Sequence, residues 1–222
     1  MKKFLATVGI MLAILLVGLT ILFVWQGENI KSVVDGISKN TEEIEKQREE
    51  NQTSLVEDVN VYMQIPVREF TEEEKKQIQD GETTVTDIYQ KIFEEKASEE
   101  ENNKETPDKD TIISRYMAEL YKLQNEYTAR AEALITEGAN YYKKLKKQSK
   151  DAGARASTIT HFTPIVRALE SESDSKVESV IKNLESELKK IGADTSIIAT
   201  IRQTYENEKK YKLSYYANKY LK

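Results

Sequence analysis

Residues 111–147 read TIISRYMAELYKLQNEYTARAEALITEGANYYKKLKK, and the spacing of their apolar positions decides the fold class. Ile113, Tyr116 or Met117, Leu120, Leu123, Tyr127, Ala131, Leu134, Gly138, Tyr141 and Leu145 alternate steps of three and four. A helix gathers such positions on one face, and no strand runs that far. The pattern predicts one long helix. Thr106-Pro107 or Asp110 is expected to cap its start, and Gly153 to end it, because glycine adopts the left-handed conformation without strain.

Downstream the same rhythm returns at Ile159, Phe162, Val166, Leu169, Ser173, Val177, Val180, Leu184, Leu188 and Ile191. Its phase survives Pro164, which predicts a second helix with proline in an early turn, or a start with Thr163 as cap and Pro164 first. Gly192 closes that helix and Asp194 caps a third, whose apolar face is Ile197, Ile198, Ile201, Tyr205, Tyr211, Tyr215, Tyr216 and Tyr220. Short connections at 151–155 and 192–194 make consecutive helices antiparallel. The expected architecture is all-α, with residues 111–222 as an up-down-up three-helix bundle of helices about 110–151, 156–191 and 195–221. Matching levels around the two turns sets Leu145 beside His161, Leu134 beside Glu172 and Ser173, and Leu120 beside Ser186. It also sets Leu184 beside Ile201 and Val177 beside Lys209.

Upstream, residues 98–110 (SEEENNKETPDKD) carry no aliphatic or aromatic side chain, which predicts an acidic flexible tether that cannot offset the entropy of ordering. Residues 66–97 predict short helices. Thr71–Glu74 reads as a capping box, Asp80-Gly81 as a stop, and Val85, Ile88, Tyr89, Ile92 and Phe93 as the face of a helix beginning after Thr83 or Thr84. Residues 26–65 carry a thin stripe of Ile30, Val33 or Val34, Ile37, Thr41, Ile44, Arg48, Asn51, Leu55 and Val59, ended by Pro66. That is the pattern of a juxtamembrane stalk, either solitary or joined in a weak coiled coil.

The stalk is called juxtamembrane because Phe4 to Trp25, FLATVGIMLAILLVGLTILFVW, holds no charge over 22 residues. As a helix it runs roughly 33 Å, enough to cross a hydrocarbon core of about 30 Å. A cleaved signal peptide normally has a shorter apolar region and a small-x-small site directly after it, and neither fits here. Residues 4–25 are expected to be an uncleaved transmembrane signal-anchor. Lys2 and Lys3 keep residues 1–3 in the cytoplasm and the remainder outside, which leaves no cytoplasmic output module.

Composition narrows the chemistry. The chain has no cysteine and one histidine, His161, which excludes disulfides, thiolate metal sites, a cysteine nucleophile and multi-histidine metal centres. With 8 Gly and 3 Pro in 222 residues, turn-rich sandwiches and Rossmann domains are disfavoured. Neither a metal, a cofactor nor a catalytic set is expected. Charge is polarised: residues 28–110 hold 24 acidic and 11 basic side chains, whereas residues 111–222 hold 14 acidic and 20 basic. The basic part contains the cluster Tyr141, Tyr142, Lys143, Lys144, Lys146, Lys147 and Lys150. Lysines supply point charges and tyrosines stacking faces for an anionic wall polymer or lipid headgroups, but lysines also belong at any helix C-terminus. Nucleic acid is not expected as a ligand outside the membrane. The tyrosines of the third helix are expected in core and rim packing, and His161 at the surface or hairpin tip.

Together these features predict a single-pass, non-catalytic, extracytoplasmic helical protein of the cell envelope, acting as a structural or adaptor module. Its partners would be the bilayer through residues 4–25 and a protein, or a second copy, through stalk or bundle. The alternative is a sensory or ligand-binding ectodomain that signals through a separate partner.

Overall fold

The computed structural model describes residues 38–101, 107–147 and 151–221. The expected anchor at 4–25, the first part of the stalk, the middle of the tether and Lys150 lie outside the described residues. Within them the protein is all-helical, with helices packed on one another as in a bundle and no strand. The helices are α1 (Thr41–Tyr62), α2 (Glu72–Gln79), α3 (Val85–Glu101), α4 (Lys109–Lys146), α5 (Asp151–Lys190) and α6 (Ile197–Leu221). None of these is long and apolar enough to cross a membrane.

Local chemistry sets the boundaries. At α2 the capping box is present: the Thr71 hydroxyl accepts from the Glu74 N–H and the Glu74 carboxylate accepts from the Thr71 N–H. Thr84 and Asp87 repeat the device at α3. Gly81 and Gly192, at φ 72° and 70°, end α2 and α5 in the left-handed region. Asp194 accepts from the Ser196 N–H and hydroxyl and so shapes the turn before α6.

Three boundaries depart from expectation. Gly153 does not end a helix: it lies inside α5, which begins at Asp151. Extending α5 backwards buries Ala154 against Tyr142 and lets Thr158 donate to the Ala154 carbonyl, which offsets the roughly 1 kcal/mol cost of a helical glycine. For the same reason Pro164 falls in the helix interior and Thr163, donating to the Ile159 carbonyl, is no cap. The direct contacts fall one turn earlier on α4 than the expected levels: Tyr141 stacks on His161 while Leu145 packs with Ile159, and Arg130 pairs with Glu172 while Leu134 lines the same groove as Glu172. Across the second connection Arg202 pairs with Glu178, because α6 starts only at Ile197 and the non-helical link is longer than three residues. The third departure is the tether. α3 reaches Glu101, and Asp108, rather than Thr106 or Asp110, caps α4 by accepting from the Thr111 N–H. Asp110 is buried and its carboxylate accepts from the N–H groups of Gln64 and Ile65 just past α1.

The chain divides into two compact units. The first comprises Met1–Arg48, Ala129–Glu172 and Glu206–Lys222, and the second Glu49–Thr128 and Ser173–Tyr205. The second has a dense apolar interior that includes Val59, Ile92, Phe93, Ile113, Met117, Ile181, Leu184, Leu188 and Ile197. Phe93 and Tyr89 stack on Tyr121 with centroids 5.9 and 5.6 Å apart. Among the described residues of the first unit the buried apolar side chains are Ile44, Ile135, Ala139, Tyr142, Ala154, Phe162 and Leu213, and they share its interior with Thr158, Glu208, Ser214 and Asn218.

The thin stripe on α1 turns inward position by position. In the first unit Thr41 donates to Asn218, Ile44 is fully buried, and Arg48 reaches Glu208. In the second Asn51 donates to the Thr204 carbonyl, while Leu55 and Val59 enter the core. The partner of this stripe is therefore the rest of the same chain. A solitary solvated helix is excluded for residues 41–62.

Candidate functional site

The end of α4 in the first unit carries the tyrosine–lysine cluster. Consecutive helical residues lie about 100° apart, so neighbouring rings cannot share one surroundings. Tyr142 points inward, fully buried with Ala154, Leu145 and Ile159. Tyr141 lies flat on His161, centroids 4.7 Å apart and planes 8° from parallel, with Phe162 edge-on. Both rings are thus engaged by the protein, and Tyr142 offers no face for a ligand to stack on. Lys144, Lys146 and Lys147 are exposed and Lys143 half-buried in the last turns, where free carbonyls and the helix dipole favour cations. Lys146 Nζ stands 5.7 Å from the Tyr142 ring centre. The structure therefore gathers the lysines at one helix end and withdraws the aromatic part of the expected grip. His161 is exposed, at the α4–α5 packing surface.

A second feature of the first unit is an open groove of about 590 Å³ between α4 and α5, floored by Ala133, Leu134, Pro164, Ile165, Ala168 and Leu169. The small alanines leave room between the larger side chains. At its edge Arg130 forms a two-pronged pair with Glu172, both contacts 2.8 Å. Ordinary apolar spacing does not distinguish such a groove from core.

The third is an internal charge cluster. Arg48 donates through Nε and Nη2 to one oxygen of Glu208, at 3.0 and 2.9 Å. Lys212 follows Glu208 by one helical turn. Burial pushes the Lys212 amine down to about 8, with Glu208 and Glu132 favouring its charge and Arg48 opposing it. The sequence signal was available but ambiguous: an arginine interrupting an apolar stripe, and a Glu–Lys pair one turn apart on a tyrosine-bearing helix.

In the second unit the charged groups act as staples between elements. Arg68 forks onto Glu74, both contacts 2.8 Å, and also reaches Glu95. Hydrogen bonding to Arg68, against the opposing effect of burial and with help from the Thr71 N–H, holds the Glu74 carboxyl down at about 2. Glu187 accepts from Arg115 and, at 2.8 Å, from the Tyr116 hydroxyl. Tyr205, expected in core or rim packing, is half-buried and donates to Asp174 at 2.6 Å. Tyr211, Tyr215 and Tyr216 of the first unit are half-buried too, which places them at the rim.

Among the described residues no group of three or more His, Asp or Glu side chains converges as a metal would require. The chain matches no protein-family model, no curated protein and no solved structure.

Proposed function

We propose that this protein is a single-pass, non-catalytic membrane protein, anchored by residues 4–25, that holds a helical module at the extracytoplasmic surface as a structural or adaptor element of the cell envelope. The observation that carries the reading is the uncharged 22-residue stretch ahead of a highly charged helical chain, because that stretch fits a bilayer better than water. The module is an up-down-up bundle of α4, α5 and α6 on which α1 packs.

The adaptor role is supported by apolar surface left uncovered on a bundle. The α4–α5 groove presents Leu134, Pro164 and Ile165, and Val61 and Ile65 are 80% and 59% exposed. Groups of this kind suit a protein partner or a second copy. A receptor for a small polar ligand would instead need convergent polar groups in an enclosed cavity, and the groove is open and mostly apolar. The sensory reading is the weaker alternative for that reason.

The test is extraction of native membranes with alkaline carbonate, followed by protease treatment of intact cells lacking an outer wall. Full-length protein in the pellet, with its C-terminal part digested from outside, is the expected result. Soluble protein lacking the first two dozen residues overturns the anchor.

A further inference from the structure

We infer that the open groove between α4 and α5 of the first unit docks on the same groove of a second copy of this chain, the two copies related by a two-fold axis that runs along the groove. The inference rests on the adaptor reading above and names the partner for that surface. It starts from a helix face unlike the solvated faces of the same chain. α1 turns charge outward at most of its exposed positions, among them Glu42, Glu45, Lys46, Glu49, Glu57 and Asp58. Of the residues that α5 exposes from Gly153 to Ser171, by contrast, Arg167 alone carries a fixed charge. The outer stripe there is Ser157, Thr160, Pro164, Ala168 and Ser171, with Ile165 36% exposed beside it. In a chain of which 32% is charged, a face of small and apolar side chains fits a covered surface.

The placement of charge selects a second copy as the cover. Arg130 and Glu172 close one end of the groove, and Tyr141 on His161 closes the other. Eleven residues separate these ends on each helix, roughly 16 Å, so α4 and α5 stay level with one another along the groove. A two-fold axis parallel to both helices exchanges α4 and α5 between protomers and preserves every level. It sets Arg130 of one protomer opposite Glu172 of its partner, and Glu172 opposite Arg130. These side chains are still 40% and 43% exposed within one protomer, which leaves each an open side for the second contact. The same rotation brings Ala133 opposite Ala168, where small side chains let the two hairpins approach. It also brings Glu137 within about one turn of the exposed imidazole of the partner's His161, which can donate to it.

A two-fold axis across the helices would instead lay the charged end of one groove on the aromatic end of the other, and neither ion pair would meet an opposite charge. An unrelated protein would have to carry the same acid and base, at the same spacing, in reversed order. Area sets the strength of the contact. A face roughly 16 Å long and two helix diameters wide, about 20 Å, covers on the order of 300 Å², under half of the roughly 800 Å² that each partner buries in a standard interface. The dimer is therefore weak, with a dissociation constant above roughly 1 μM, and forms where copies are concentrated.

The absence of cysteine makes any single replacement a unique cross-linking point in the full-length chain. Chains carrying Ala133→Cys and chains carrying Ala168→Cys are mixed in mild detergent at a concentration well above that constant and oxidised, and disulfide-linked dimer is measured. The mixture should yield several-fold more dimer than either chain alone. Adding Arg130→Glu to both chains should lower the yield several-fold. Arg130→Glu on one chain with Glu172→Arg on the other should restore it, because each copy then offers the charges that the other lacks. Both variants lose the Arg130–Glu172 pair within the chain, so recovery on mixing reads contact between copies rather than folding. Equal yields from the mixture and from the single chains, or no recovery with the complementary variants, overturn the inference. The adaptor reading then keeps the groove for a different partner, and it stands or falls with the carbonate extraction.

Discussion

The two units share α1, α4, α5 and α6 and bury different chemistry. In the second, aliphatic side chains and the Phe93–Tyr121–Tyr89 stack fill the interior, and ions such as Arg68–Glu74 and Arg115–Glu187 staple its rim. In the first, Glu208 with its Arg48 partner, Thr158 and Asn218 stand among small or isolated apolar residues. Apolar burial contributes stability directly, roughly 25 cal/mol per Å², whereas buried charge mostly fixes which partner lies where at little net gain. Among the described residues the second unit therefore buries the larger share of stabilising apolar surface, and the first buries more specified polar pairing.

The largest effect should come from the second interior. Phe93→Ala should cost about 3–5 kcal/mol in urea unfolding, while Phe162→Ala, flanked by exposed His161 and half-buried Tyr141, should fall at or below the bottom of that range. Equal losses would erase the contrast. Next, Arg48→Ala should cost about 2–3 kcal/mol, because it strips the buried Glu208 carboxylate of its Arg48 hydrogen bonds, and a double change with Glu208→Met should recover part of it. Loss of protection in hydrogen exchange should be confined to the first unit.

Acid and alkali should separate the units. Glu74 is held at about 2, so its contribution is complete above the ordinary carboxylate range and disappears as pH falls toward 2. Glu74→Gln should cost about 1–2 kcal/mol at pH 7 and progressively less as pH falls from the ordinary carboxylate range through about 2, after allowance for the partly exposed Arg68. Lys212 has the opposite sense. Its amine is depressed to about 8, so the cost of burying its charge is present at neutral pH and is relieved as pH rises from about 8 to the ordinary lysine value. Stability of the first unit should rise over that window, and Lys212→Met should gain up to about 1 kcal/mol at pH 7 and flatten the rise.

Much of this was legible in order of residues. The three-four spacing along α4 to α6, the Thr71 capping box and the left-handed glycines at 81 and 192 are local signals, and each is found. The stripe on α1 was also legible, down to Thr41, Arg48 and Asn51, but its destination was not. Those polar positions look like a weak seam until Asn218, Glu208 and the Thr204 carbonyl are seen opposite them, 153 to 177 residues away. The α4–α5 turn was misplaced because Gly153 resembles a stop, and burial of Ala154 outweighs that preference. At the tyrosine–lysine cluster composition identified the lysines, whereas the inward turn of Tyr142 depends on where α5 begins.

Hydrogen exchange along α4 tests the contrast most directly, because one continuous helix samples both interiors. Slow exchange near the global unfolding limit across residues 112–127, with markedly faster exchange across 130–145, is the predicted result. Uniform protection from one end of α4 to the other would contradict it.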